Sequence, residues 1–221
     1  MVCVDFNPRA NIIVTGSFDE SVRLWDLRTS RCIRAIPAHS EPVTAVQFHP
    51  DGSFLVTASY DGLVRFWDPT NGQCLTTLHE KGTPPIGSAR FSANGKYILT
   101  SSLDSKVRLW DYINSKRVRT YEGNHINTNV ATIATFLSIN SSSSTKDHSS
   151  SSSNNHNNNK EPLQTIITAS EDGKPAIYNA NNKEYLTSLE GHSGGVAALD
   201  VCQENIITGG IIDNTVRLWS I

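Results

Sequence analysis

Apolar and polar positions along this chain fall into short runs of about five residues, each closed by a turn rich in Gly, Pro, Asp and Asn. Residues 44–48, 54–59, 63–67 and 73–78 are four such runs. They are divided by His49-Pro50-Asp51-Gly52, Tyr60-Asp61-Gly62 and Asp68-Pro69-Thr70-Asn71-Gly72. β-Branched and aromatic residues bounded by such turns predict strands, four to a unit. The unit recurs. A turn aspartate is followed six residues later by an aromatic that closes a β-branched run: Asp19 and Trp25, Asp61 and Trp67, Asp104 and Trp110, Asp172 and Tyr178, Asp213 and Trp219. The aspartates lie 42, 43, 68 and 41 residues apart, which marks one repeat with a single enlarged copy. The repeats span about 1–38, 39–80, 81–123, 124–190 and 191–221. A period of this length, read as short strands, predicts an all-β array of small sheets packed side by side.

The second unit carries His39, Ser59, Asp61 and Trp67, residue types that also build hydrolytic triads. A triad needs an exposed nucleophile and an oxyanion pocket, whereas a sharp turn in a packed sheet needs fastening by a buried hydrogen-bonded chain. Ser17 with Asp19, Ser102 with Asp104 and Ser170 with Asp172 repeat the arrangement. Recurrence in tandem favours the structural role. The set thins elsewhere: Gly82-Thr83 stand where a third His would be, and Tyr178 replaces Trp. Gly209-Gly210-Ile211-Ile212 before the last aspartate predict a looser turn there.

Composition narrows the function classes. The net charge is −2 with no run of Lys or Arg, so a direct nucleic-acid footprint is not expected. Cys3, Cys32, Cys74 and Cys202 form no CxxC and fall in strand-like runs, which predicts small buried hydrophobes of a reduced protein. No apolar stretch approaches the roughly 18 residues of a membrane span, which points to a soluble protein of the cytosol or nucleus. No phosphate loop or metal cluster is evident, so no cofactor, small-molecule substrate or enzymatic activity is expected. Residues 138–161 stand outside the repeat: a Ser- and Asn-rich tract predicted to be a disordered insertion between the first two strands of the fourth unit. His148 and His156 within it read as solvated bystanders.

Trp25-Asp26, Trp67-Asp68 and Trp110-Asp111, with Gly191-His192 and Ala38-His39 heading two units, resemble WD40 repeats. That resemblance implies a β-propeller, generally of seven blades closed by a strand from the far terminus. The chain opens on an innermost strand at Val2 and ends on a third strand at Trp219, so the five repeats are expected to be a fragment of a seven-bladed ring. A five-bladed propeller is the alternative. Gly16-Ser17-Phe18-Asp19-Glu20-Ser21, Pro37-Ala38-His39-Ser40, Asn94-Gly95-Lys96-Tyr97 and Leu109-Trp110-Asp111-Tyr112 narrow the match. They are similar to the WD-repeat core subunit of COMPASS, the SET1/MLL-type histone H3 lysine-4 methyltransferase complexes.

This resemblance implies a non-catalytic scaffold of the nucleus, with other complex subunits as partners and the histone H3 tail as a further candidate. It implies two peptide sites. A cleft for an acidic and aliphatic segment maps onto Asn94, Tyr97, Leu109, Phe136 and Asn181, the last where the family usually has Gln. At the opposite face, the channel mouth that clamps an arginine between aromatic rings maps onto Val2, Val130 and Ile133, with Tyr60 the one ring left. Arginine-motif binding is therefore expected to be weak or absent. Trp25-Asp26-Leu27-Arg28 resembles the short motif of cullin-RING ligase receptors and supplies the alternative reading.

Overall fold

The computed structural model describes residues 2–139, 163–202 and 205–220. They form five antiparallel meanders standing side by side. The first blade contains β1 (Cys3–Phe6), β2 (Ile12–Gly16), β3 (Ser21–Asp26) and β4 (Arg31–Pro37). The second contains β5 (Val43–Phe48), β6 (Leu55–Ser59), β7 (Leu63–Trp67) and β8 (Cys74–His79). The third contains β9 (Ile86–Phe91), β10 (Ile98–Ser102), β11 (Lys106–Asp111) and β12 (Lys116–Glu122). β13 (Ala134–Ile139), β14 (Leu163–Thr168), β15 (Ala176–Asn179) and β16 (Tyr185–Ser188) make the fourth. The fifth has three strands among the described residues: β17 (Val196–Cys202), β18 (Asn205–Gly210) and β19 (Val216–Ser220). β13 runs through Ser138 and Ile139, so the insertion begins two residues later than its composition suggested; residues 140–162 lie outside the described residues.

The blades are apolar on both faces, so each core lies between two of them. Val14, Val22 and Leu24 of the first blade meet Val43, Val46 and Phe48 of the second. Val56, Val64 and Phe66 meet Ala89, Phe91 and Ile98 across the next junction, and the pattern continues to Leu199 and Ile206. The innermost strands pack in order, β1 on β5, β5 on β9, β9 on β13 and β13 on β17. A side chain ties two of these junctions in the same way: Asp5 Oδ2 accepts the Phe48 N–H, and Gln47 Oε1 accepts the Phe91 N–H, both at 2.8 Å. The turn at Gly62 seals another contact. Its φ of +79° suits glycine, and a Cβ there would come within 2.4 Å of the Thr83 carbonyl oxygen of the next blade.

The buried chain of the second blade runs through Thr57, which the sequence reading passed over. Trp67 Nε1–H donates to Thr57 Oγ1 at 2.9 Å, the Thr57 hydroxyl donates to His39 Nε2 at 2.7 Å, and His39 Nδ1–H donates to Asp61 at 2.9 Å. A neutral His39 satisfies every member in this order. Ser59 is a side branch: its hydroxyl donates to the Glu41 carbonyl and accepts the Asp61 N–H. Burial opposes ionisation of Asp61, but the bonds from His39 and from the Leu63 N–H hold its carboxyl below the ordinary value. No arrangement here leaves Ser59 free as a nucleophile.

The other blades solve the same problem with different residues. In the third, the Arg108 guanidinium takes the place of the missing His and reaches Asp104 at 2.5 Å, while Trp110 still bonds Thr100. In the fourth, His125 Nδ1 meets the Tyr178 hydroxyl at 2.9 Å, and burial pushes its imidazole down to about 4. The fifth corrects the expected looseness. His192 bridges Asp213 and Thr208 at 2.8 Å each, and Trp219 bonds Thr208, so the chain is complete although the turn is one residue longer. The cysteines also differ from expectation: Cys32, Cys74 and Cys202 are exposed and Cys3 is half-buried. Cys32 and Cys74 sit on the outermost strands β4 and β8, which have water on their far side.

Because Thr57 joins two buried donors and acceptors, replacing it should cost more than replacing Ser59. Thr57→Val keeps the shape but strands His39 Nε2 and Trp67 Nε1–H, and is expected to lower stability by about 2–4 kcal/mol against about 1 kcal/mol for Ser59→Ala. Urea unfolding of the two variants checks this. Equal losses would place the hub elsewhere.

Candidate functional site

Strand order puts the turns between first and second, and third and fourth, strands on one face of the array, where the predicted cleft residues lie. Tyr97 precedes β10, Leu109 lies on β11 and Phe136 on β13, and the three converge in the core between the third and fourth blades. Leu109 is buried, while Tyr97 and Phe136 are half-buried. Tyr121 closes the outer side, its hydroxyl donating to the Ala180 carbonyl at 2.8 Å. Asn94 and Asn181 occupy exposed turns on either flank. Asn94 Oδ1 accepts the Ser92 hydroxyl and the Lys96 N–H. Asn181 uses its backbone N–H on Asn179.

At the opposite face the structure brings together only some of the predicted channel-mouth residues. Val2 and Ile133 line one groove of about 260 Å³ with Thr44, Ser88 and Arg90 from the inner strands. Val130 and Tyr60 are not among its lining residues. Tyr60 sits in the β6–β7 turn with its N–H bonded to the Pro42 carbonyl. It is also not the sole ring at this face. Phe18 holds the matching place before Asp19 and is largely exposed. Its position relative to the turn aspartate is the sequence signal that could have found it.

Glu171, in the same place before Asp172, does something different. Its carboxylate accepts the backbone N–H groups of Thr128, Asn129 and Val130 at 2.6, 2.6 and 2.8 Å, and the Thr128 hydroxyl at 3.1 Å. Three consecutive N–H groups converging on one anion make a nest, here filled by the protein's own side chain. Burial works against the charged form, yet these donors hold the carboxyl down at about 2. The loop that carries Val130 is thus pinned to the β14–β15 turn. A carboxyl lowered on folding contributes stability that is whole above its unfolded value of about 4.5 and is lost as pH falls toward about 2. Glu171→Gln should therefore melt lower at neutral pH and show a shallower loss between about pH 5 and 2 than the parent. Melting curves across that range test it; parallel curves would remove Glu171 from the acid response.

The profile of the family described as "WD domain, G-beta repeat" matches residues 1–26, 30–68, 72–111 and 183–220. Among curated proteins, cell division control protein 4 of Saccharomyces cerevisiae is 41% identical over 56 residues, 25% of this chain and 7% of that protein. Polyadenylation factor subunit 2 of Gibberella zeae is 44% identical over 43 residues, 20% of this chain and 7% of that protein. COMPASS component SWD3 of Saccharomyces cerevisiae is 37% identical over 46 residues, 21% of this chain and 15% of that protein. The matched segments thus span well under a fifth of each of these relatives. With the family profile covering four stretches and five blades of the corresponding architecture, the chain belongs to the WD40-repeat family and folds as a β-propeller array.

Proposed function

We propose that this chain is a non-catalytic scaffold subunit of a COMPASS-type histone H3 lysine-4 methyltransferase complex, working in the nucleus and holding peptides of other subunits. The observation that carries the reading is the convergence of Tyr97, Leu109 and Phe136 between two exposed amides, Asn94 and Asn181. An apolar floor with amides at the rim suits an aliphatic peptide whose backbone the amides hold in register. The segment similar to COMPASS component SWD3 supports the same reading.

The proposal includes a seven-bladed ring of which these are five blades. Burial argues for it. Val46 and Phe48 on β5 are buried against the first blade, whereas Val4 and Phe6, their counterparts on β1, are more than half exposed. At the other end Val216 and Leu218 are 76% and 69% exposed, while their counterparts Val64 and Phe66 are each 2% exposed. Covering a side chain of this size is worth roughly 1.5–3 kcal/mol. Blades on both sides would supply that cover.

Affinity capture from native cells followed by intact mass tests both parts. The expected result is a SET-domain methyltransferase among the partners and a mass roughly 10 kDa above the 24.2 kDa of this sequence, the size of about two further repeats and a closing strand. A cullin adaptor in its place would overturn the complex assignment, and a mass of 24.2 kDa the ring.

The channel mouth gives a second prediction. Val2 and Ile133 cannot sandwich a guanidinium, so an arginine-containing histone H3 tail peptide should show no measurable affinity there. Val2→Phe with Ile133→Phe should restore it, each ring adding about 1 kcal/mol, or roughly fivefold. Isothermal titration measures the difference. Tight binding by the parent protein would show that the aliphatic pair is no obstacle.

A further inference from the structure

In each of the four complete blades the pairing between third and fourth strands slips by one residue at the same place, opposite the tryptophan or its tyrosine substitute. Leu24 pairs with Arg34 and Trp25 with Cys32, which leaves Ile33 as the extra residue. The same slip leaves Leu75, Val118 and Leu186 unpaired in the following blades. All four are large aliphatic residues and all four are exposed. A bulge re-aims the side chain it expels. Here it sets an aliphatic side chain in water, once per blade, at one register.

Two of these residues border grooves between blades. Leu75 lines one of about 200 Å³ with Phe54, Phe66, Thr76, Tyr112 and Ile113, and Ile113 is 73% exposed at its rim. The floor is aromatic and rigid: His49 stacks on Phe54 at 4.4 Å, Phe66 stacks on Tyr112 at 5.1 Å, and the Tyr112 hydroxyl donates to the Gly95 carbonyl at 2.6 Å. One blade earlier, Ile33 lines a groove of about 480 Å³ with Ile12, Phe48, Pro69 and two arginines, Arg9 and Arg34. Phe54 and Phe66 occupy, one blade earlier, the places of Tyr97 and Leu109 in the cleft. The proposed cleft thus lies one blade further along the same rim.

The outer strands of this rim are basic, although the turns that lead into them carry Asp26, Asp68 and Asp111, Arg34 already donates to the Thr70 and Asn71 carbonyls, and Arg117 pairs with Glu80. β4, β8 and β12 together carry five cations, Arg31, Arg34, Lys116, Arg117 and Arg119, against one carboxylate, Glu122. Glu122 is already paired with Lys106, and the two carboxylates near the Leu75 groove, Asp51 and Asp111, are held by His49 and Ser53 and by Asn114. Arg31, Lys116 and Arg119 have no carboxylate within ion-pair distance among the described residues. Arg31 and Lys116 stand two residues before the expelled aliphatic, Arg34 and Arg119 one residue after it.

We infer that this rim is a docking track for an extended, acidic segment of a partner protein, which seats a bulky apolar side chain in the Leu75–Ile113 groove while its carboxylates meet the cations of β4 and β12. The inference rests on the proposed scaffold role of the cleft face and extends it two blades along. The probe is a fluorescein-labelled synthetic peptide alternating Asp and Glu with Leu, and its counterpart with Lys in place of every acid, titrated by anisotropy against the full chain. The acidic peptide is expected to bind and the lysine peptide not. Leu75→Asp with Ile113→Asp should weaken binding at least about tenfold at an unchanged melting temperature, since both side chains are exposed. Lys116→Glu with Arg119→Glu should weaken it too, with a smaller dependence on salt. In an Asn181→Lys background, which alters the cleft, the Leu75 and Ile113 substitutions should weaken binding by the same factor. Loss in Asn181→Lys with none in the Leu75 and Ile113 variant would uphold the cleft and overturn the track. Equal binding of both peptides, or no effect of any variant, would also overturn it.

Discussion

A sheet that is apolar on both faces is stable only between two others, and that single requirement organises this molecule. Every core is a junction: Val14 and Leu24 have no interior of their own until Val43, Val46 and Phe48 cover them. Stability in such an array is a sum over neighbours, so a blade's own contribution depends on what stands beside it. The lateral bonds follow the same logic. Asp5 and Gln47 each satisfy a backbone N–H of the next blade rather than of their own. At the third junction Arg90 holds that register position, and a guanidinium cannot accept an N–H. There the stitching passes to other side chains, with Ser88 Oγ accepting the Ala134 N–H and the Ser101 hydroxyl bonding the Thr132 carbonyl.

The buried chain behind each turn obeys a looser constraint, and the blades show which part of it is rigid. Threonine at the middle strand and an aromatic donor beside it recur as Thr15 with Trp25, Thr57 with Trp67, Thr100 with Trp110 and Thr208 with Trp219. The partner of the turn aspartate varies between imidazole and guanidinium. What the turn needs is a donor on its aspartate, which Arg108 supplies to Asp104 as His39 does to Asp61, although the guanidinium leaves its own buried Nε without a hydrogen-bond partner. The fourth blade shows the cost of changing the aromatic. A phenol that meets His125 directly leaves Thr168 to bond the Ala169 carbonyl and leaves His125 Nε2 without a partner.

Much of the architecture was legible because it is written in spacing. The strands expected at 44–48, 54–59, 63–67 and 73–78 agree with β5 to β8 at four of their eight ends and differ by one residue at the other four, since turn chemistry fixes where each run stops. What the sequence concealed was which of two similar side chains is buried among which atoms. Ser59 and Thr57 differ by two positions and point to the same face, and only the coordinates show that Thr57 meets both His39 and Trp67. Exposure of Cys32 and Cys74 was hidden for a related reason. Alternation says that a residue lies on a face but not whether a neighbour covers that face, and outer strands have none. The shared packing of Tyr97, Leu109 and Phe136 was legible, whereas the nest around Glu171 was not, because backbone N–H groups carry no letter of their own.

The bulges join these two levels. Each lies opposite the residue whose ring reaches back to the core, so an extra residue in the outer strand accompanies the inward reach of Trp25, Trp67, Trp110 and Tyr178. The fold needs an extra residue there, but nothing in the pairing needs it to be aliphatic. Any polar residue would complete the same slip and leave no apolar surface in water. Ile33, Leu75, Val118 and Leu186 all depart from that cheaper choice, and they do so at one register on one rim. A constraint of folding accounts for the bulge, and the side chains set upon it are what a protein-binding face requires.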